Sequence, residues 1–274
     1  MTGAKLPDHE RVSAIIREAA RDLIMPRFQQ LSHTEINEKS PGDLVTIADL
    51  ESEKRLEDEL TSLLPDSICI GEEAAESDPS ILDRITGEAP VWVIDPLDGT
   101  RNFAHGRAPF AVIVALVVGG TTQMGWIHDP VTDETIWAGR GQGAWSAGQQ
   151  LQLGKTKTIA AMKGSLSLRI ARRLDGKPGV PEQINRVGCV GRDYMDLTSG
   201  KLDFARYAFR LKPWDHAAGV LLYDEAGGYS RLIRANQQYQ ATLQTSAAEK
   251  ANEVLILAPD RESCRQLVEM LEDT

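Results

Sequence analysis

Residues 92–103 read WVIDPLDGTRNF. An apolar run leads in, and Asp95 and Asp98 follow three apart, with Pro96 between them. Pro96 fixes its own φ and stiffens the turn, which holds the two acids in a set relation and exposes the carbonyl of Leu97. Gly99 and Thr100 then begin a helix or turn, whose free N–H groups and positive dipole end make a phosphate cradle. The stretch therefore reads as a buried strand that ends in an acidic, rigid turn.

Strand signals continue downstream as PFAVIVALVV, TQMGWIHDP, ETIWAGR and GAWSAG, each punctuated by Gly, Asp or Pro. Upstream, Val12, Ile15, Ile16, Ala19, Leu23 and Ile24 give a helical period that predicts a helix over 8–31. Residues 32–43 read as a polar loop. A second helix is expected over 49–64, with Asp49 at its start as the N-cap. Residues 66–71 read as a strand and 74–90 as irregular or partly helical. Residues 152–186 give no clear period. Helices are expected near 189–199, 215–227 and 261–272, and strands near 202–208 and 254–258. Helices, then strands, then mixed elements predict layered α and β, as one domain over 1–274 with halves of about 1–150 and 151–274.

The chain has 274 residues and a formal net charge of −10, which speaks against a nucleic-acid polymer as partner. Cys69, Cys189 and Cys264 show no metal or disulfide spacing, which predicts reduced thiols and a cytoplasmic setting. The longest apolar run, residues 111–118, is too short for a membrane span.

Further acids fall at strand ends or turns: Glu72 and Glu73 after ICIG, and Asp215 in KPWDHAAG. Carboxylates at strand ends can converge in an open sheet, and several together ionise only around a cation. Oxygen donors without nearby His or Cys suit Mg²⁺ or Mn²⁺. Metal beside a phosphate cradle points to hydrolysis of a phosphate ester.

WVIDPLDGTRNF resembles the metal-binding signature of the inositol monophosphatase superfamily. WDHAAGVLLYDEAGG resembles the second signature and GEE the upstream glutamate, while DLVTIAD and GRGQGAWSAGQQL resemble flanking segments in the family's order. The resemblance implies an αβαβα sandwich and Mg²⁺-dependent hydrolysis of a small phosphorylated metabolite. It also implies lithium sensitivity and a homodimer. Carried over, Glu72, Asp95 and the Leu97 carbonyl hold one ion, and Asp95 bridges to a second held by Asp98 and Asp215. A third ion near Glu72 is also implied. Asp49 and Thr100 match the pair that orients the attacking water, the Gly99 and Thr100 N–H groups meet the phosphate, and Glu73 lies near the metals. Trp92 and Trp214 read as packing residues, and His105 and His216 as structural.

The chain departs from the family before WD. DFARYAFRLKPWD has no acid between Asp203 and Asp215, where inositol monophosphatases carry one that grips substrate hydroxyls. Arg192, Arg206, Arg210 and Lys212 become candidate partners for a second anionic group, with a dimer interface or plain surface as the alternative. Inositol monophosphate, histidinol phosphate, 3′-phosphoadenosine 5′-phosphate and fructose 1,6-bisphosphate all remain open. A metal-binding regulatory protein without turnover is the non-enzymatic alternative, and the competent residue at every matched position speaks against it.

Overall fold

Side-chain alternation along the central strands sets the layers of the molecule. The computed structural model describes residues 6–184, 186–208, 211–244 and 253–272. Helix α1 (His9–Ala19) buries Val12, Ile15, Ile16 and Ala19 along one face, and the Asp8 side chain caps it. The regular helix does not continue to residue 31. A π-turn (Ala20–Ile24) and a 3₁₀ turn (Met25–Arg27) follow, because Pro26 has no N–H to continue the ladder. Residues 36–43, expected as loop, instead form with 44–46 a hairpin, β1 (Ile36–Ser40) and β2 (Asp43–Thr46); β1 is polar and largely exposed and so gives no apolar signature.

Helix α2 (Ile47–Leu63) is capped by Thr46, not Asp49. The Thr46 hydroxyl accepts from Ala48 N, and Asp49 at the third helical position reaches back to Thr46 N at 2.9 Å. This capping box explains the helix-start signal while moving the cap three residues upstream. Strand β3 (Ile68–Gly71) runs into α3 (Glu72–Ser77), and a 3₁₀ segment (Pro79–Thr86) precedes β4 (Val91–Asp98). After α4 (Thr100–Ala104) come β5 (Ala111–Val118), β6 (Thr121–Asp129), β7 (Glu134–Gly139), β8 (Gly143–Ser146) and β9 (Gln149–Leu151). The later part holds β10 (Lys163–Ser165), α5 (Leu168–Leu174), β11 (Gln183–Ile184), α6 (Val190–Thr198), β12 (Phe204–Ala208), α7 (Pro213–Glu225), β13 (Tyr229–Leu232), β14 (Val254–Ala258) and α8 (Arg261–Glu272).

Among the described residues, one sheet runs β3-β4-β5-β6-β7-β8-β9, and a second runs β11-β10-β12-β14-β13. In β5, Val112, Val114 and Leu116 face α1 and α2. The alternate residues Ala111, Ile113, Ala115 and Val117 face a core shared with α6, α7 and the inner face of the second sheet. On β12 the same rule points Ala205 and Tyr207 inward, and Phe204 outward to join α8 residues such as Leu267. Helix, sheet, helix, sheet, helix is the expected αβαβα sandwich. Among the described residues, no helix is long and apolar enough to cross a membrane.

Candidate active site

The acidic turn lies where β4 leaves its sheet. Asp95 pairs with Ile113 and Asp98 with Ala111, so β4 takes three steps where β5 takes two. The extra residue makes a bulge at Pro96, which has no N–H for the ladder. On a regular strand, residues three apart face opposite sides; the bulge turns both carboxylates the same way. Asp95 Oδ1 also accepts from Leu97 N at 3.0 Å, which fixes the turn. Gly99 follows at φ +89°, and a Cβ there would lie 3.1 Å from the Pro109 carbonyl. Both the left-handed backbone and the close approach call for glycine.

Asp215 reaches the same place from the first turn of α7, where Pro213 occupies the start and the helix dipole favours a negative charge. One carboxylate oxygen from each of Asp95, Asp98 and Asp215 lies within 4.8 Å of the others. Burial first, and then the neighbouring acids, raise the carboxyl of Asp95 well above its usual range. Burial pushes Asp98 up to about 6 even though backbone N–H groups oppose it. Burial and the nearby Asp98 carry Asp215 to about 8. Burial and then Asp215 raise Glu72, which approaches from the start of α3. Among the described residues, no lysine or arginine is ion-paired to the three aspartates. Buried like charges with oxygen-only donors fit a hard divalent cation, because only a cation allows all of them to ionise together.

The Asp49–Thr100 pair is assembled from α2 and α4. Thr100 Oγ1 lies 2.9 Å from Asp49 Oδ1 and 2.9 Å from the Leu97 carbonyl. Asp49 Oδ2 accepts from Thr46 N and from the Thr46 hydroxyl at 2.6 Å. Burial raises the Asp49 carboxyl, and those hydrogen bonds restrain the rise. Asp49 is thus both part of the capping box and Thr100's partner.

Several residues around the site carry no local sequence signal. Asp98 Oδ2 accepts from Gly191 N at 2.5 Å and from Cys189 Sγ at 3.1 Å, at the N-terminus of α6. A Cβ on Gly191 would lie 2.8 Å from Ala111 Cβ and 3.2 Å from Asp98 Oδ2, so only glycine lets α6 approach. Glu53 of α2 accepts from Glu73 N and Ala74 N and so anchors α3. Lys39 of β1 lies 3.4 Å from Glu72 Oε1, 3.0 Å from Glu73 and 2.6 Å from Glu76. Burial alone would lower its ammonium, but Glu76, Glu72 and Glu73 outweigh that and raise it. Glu73 therefore sits beside Glu72 through a shared lysine, and burial pushes its carboxyl up to about 7.

The basic candidates separate. Arg192 is engaged by Asp129 at 3.2 Å and by Asp196, so its charge is already paired. Arg206 lines a cavity with Val268 and Leu271 of α8, on the face of its sheet opposite Tyr207, and is not brought to the carboxylates. Arg210 lies outside the described residues. Lys212 caps α7, with Nζ 4.5 Å from the Trp214 ring centre, and its charge lowers Asp215. Arg186, a residue with no sequence signal, lies 5.9 Å from the Tyr207 ring centre. His216 is buried against the Tyr194 hydroxyl, and burial lowers its pKa to about 3, so it is neutral. His105 bonds the Arg101 carbonyl on the surface. Trp92 and Trp214 are core residues.

A layered αβαβα sandwich with converging carboxylates beside a helix start defines a class, the metal-dependent phosphatases that act on small phosphorylated molecules. Within that class the chain belongs to the inositol monophosphatase family, whose profile matches residues 8–265. It is 34% identical over 212 residues to an inositol-1-monophosphatase of Rhizobium meliloti, covering 74% of this chain and 77% of the relative. It is 30% identical over 196 residues to a fructose-1,6-bisphosphatase/inositol-1-monophosphatase of Thermotoga maritima, covering 70% and 73%. The Nus factor SuhB of Escherichia coli is 31% identical over 248 residues, covering 85% and 89%. Among solved structures, a Thermotoga maritima IMPase superposes with a TM-score of 0.77 at 23% identity, covering 96% of this chain and 98% of that one. The protein is therefore a phosphatase, a phosphoric monoester hydrolase.

Proposed function

We propose that the chain is a Mg²⁺-dependent phosphomonoesterase of the inositol monophosphatase type. The carrying observation is the convergence of Asp95, Asp98 and Asp215 oxygens within 4.8 Å, beside the Thr100–Asp49 pair. Glu72, Asp95 and the Leu97 carbonyl would hold one ion, and Asp95, Asp98 and Asp215 a second, with a third near Glu72 once Lys39 withdraws. When bound, the ions make a water nucleophilic at neutral pH and neutralise charge on the leaving oxygen.

This chain's residues do the rest. Thr100 Oγ1, donating to Asp49, keeps a lone pair for the attacking water and orients it. Asp49, buried and raised, receives the proton through Thr100. The N–H groups of Gly99 and Thr100 donate to the phosphate oxygens at the start of α4. Buried neutral His216 takes no part as a base. The products are inorganic phosphate and the parent alcohol.

Inositol monophosphate is the leading substrate. Lys212 and the missing acid before WD leave room for one with a second anionic group. Phosphate release should be measured across inositol, histidinol, nucleotide and sugar phosphates with Mg²⁺ or Mn²⁺, with and without lithium, alongside the mass of the expected homodimer. No release from any substrate would defeat the reading.

Thr100→Val keeps the side-chain shape and removes the hydroxyl. It should lower kcat about 100- to 1,000-fold and leave KM within roughly 3-fold, because the contact acts on the attacking water. Steady-state kinetics with Mg²⁺ check this; a loss confined to KM would move Thr100 to ground-state binding.

A further inference from the structure

The outer face of the second sheet carries a cluster of cations that the phosphatase reaction does not use. Arg206 on β12 is half-buried and shares a cavity of about 190 Å³ with Arg234, over Ile256 of the sheet and Val268 and Leu271 of α8. Arg173 of α5 stands close enough that its charge, with that of Arg234, acts on Arg206, and Arg186, which lies over the Tyr207 ring on the opposite face, adds a smaller push. Burial and these three like charges all disfavour the guanidinium. Among the described residues, no carboxylate is ion-paired to Arg173, Arg186, Arg206 or Arg234. The nearby acid, Glu253, is committed to the backbone N–H groups of Arg234, Ala235 and Val254.

A half-buried guanidinium among like charges costs stability unless an anion joins it. Arginine forks match phosphate oxygens in geometry as well as charge. We propose that this cluster is a second anion site, for a soluble ligand that carries two or more phosphate groups. One phosphate group would enter the cavity between Arg206 and Arg234, and a further charge would lie toward Arg173. The site is separate from the carboxylate site. Tyr207, the next residue on β12, points through to the opposite face, with its ring 4.9 Å from that of His216 and its hydroxyl on Asp193.

The test uses the full chain in chelator-treated buffer, where the metal-free carboxylates repel anions, with tripolyphosphate as the probe and the thermal midpoint as the readout. Millimolar tripolyphosphate should raise Tm by roughly 3 °C in the wild type and have little effect in Arg206→Gln or Arg234→Gln. Arg206→Gln should itself raise Tm in anion-free buffer. Both variants should keep wild-type kcat/KM with Mg²⁺. The exposed Arg234 position keeps the test usable should Arg206→Gln fail to fold. Three results would overturn the proposal: no response in the wild type, an undiminished response in both variants, or an Arg206→Gln protein that is less stable yet equally responsive. Light scattering adds a fourth, an anion effect that appears only when chains associate.

Discussion

Asp95→Asn should lower kcat/KM by about three orders of magnitude or more, roughly 4 kcal/mol of transition-state stabilisation. The size follows from position. Asp95 is buried, and its carboxyl feels Glu72, Asp98 and Asp215 together, so a cation held there meets its charge before any other. The amide is nearly isosteric. Its carbonyl can keep the hydrogen bond from Leu97 N, and the fold should survive. Removing one of several crowded negative charges should hold or raise the Tm of the metal-free protein while activity collapses. Phosphate release with Mg²⁺ and circular dichroism melting on the same preparations read both effects. Activity within about 10-fold of wild type would remove Asp95 from the bridging position. Lost activity with a lowered Tm would reduce the effect to a damaged fold.

How much of this was legible depends on how locally each feature is encoded. The acidic turn was readable because strand, proline, acids and glycine sit within twelve residues, and each has a direct backbone consequence. The bulge that turns Asp95 and Asp98 to one side is a consequence of Pro96, although the sequence alone does not show the pairing with β5. The helix-start signal is real, but Thr46 is the cap and Asp49 closes the capping box from inside the helix. The hairpin of β1 and β2 is not legible because the largely exposed INEKS carries no apolar alternation and DLVT is too short to show one. Lys39 was missed with it.

Contacts made across long sequence separations were not legible at all. Cys189 and Gly191 meet Asp98 only after β5 to β11 have been placed, and nothing near Asp98 announces them. Arg192 and Arg206 part from the carboxylates for a different reason. Closeness in sequence suggested a shared role, but strand alternation sends Arg206 outward, and Asp129 and Asp196 capture Arg192. Patterning predicts which face a residue takes only once the register of its strand is known.

Metal should stabilise the protein much more at pH 8 than at pH 5.5. Asp98 is raised from the ordinary 3.8 to about 6 and Asp215 to about 8, while Asp95 and Glu72 also lie well above their usual ranges. A carboxyl whose folded pKa lies above its unfolded value favours the folded state while protonated. That stability is fully present below about pH 4 and is lost as pH rises through about 6 for Asp98 and about 8 for Asp215. The metal-free protein should therefore lose Tm between pH 5.5 and 8, as like charges appear in a buried cluster. A divalent cation reverses this by binding the ionised folded form, at a gain of about 2.7 kcal/mol for ligand at 100 times Kd. For a domain of this size that is roughly 5–10 °C at pH 8. At pH 5.5 protons already neutralise most of the cluster, and the same Mg²⁺ should add about 2 °C or less. Melting with EDTA or Mg²⁺ at the two pH values measures the difference, and Asp95→Asn should shrink it because one ionising group is gone. Equal gains at both pH values, or a metal-free Tm that rises toward pH 8, would mean that these carboxylates do not share a cation.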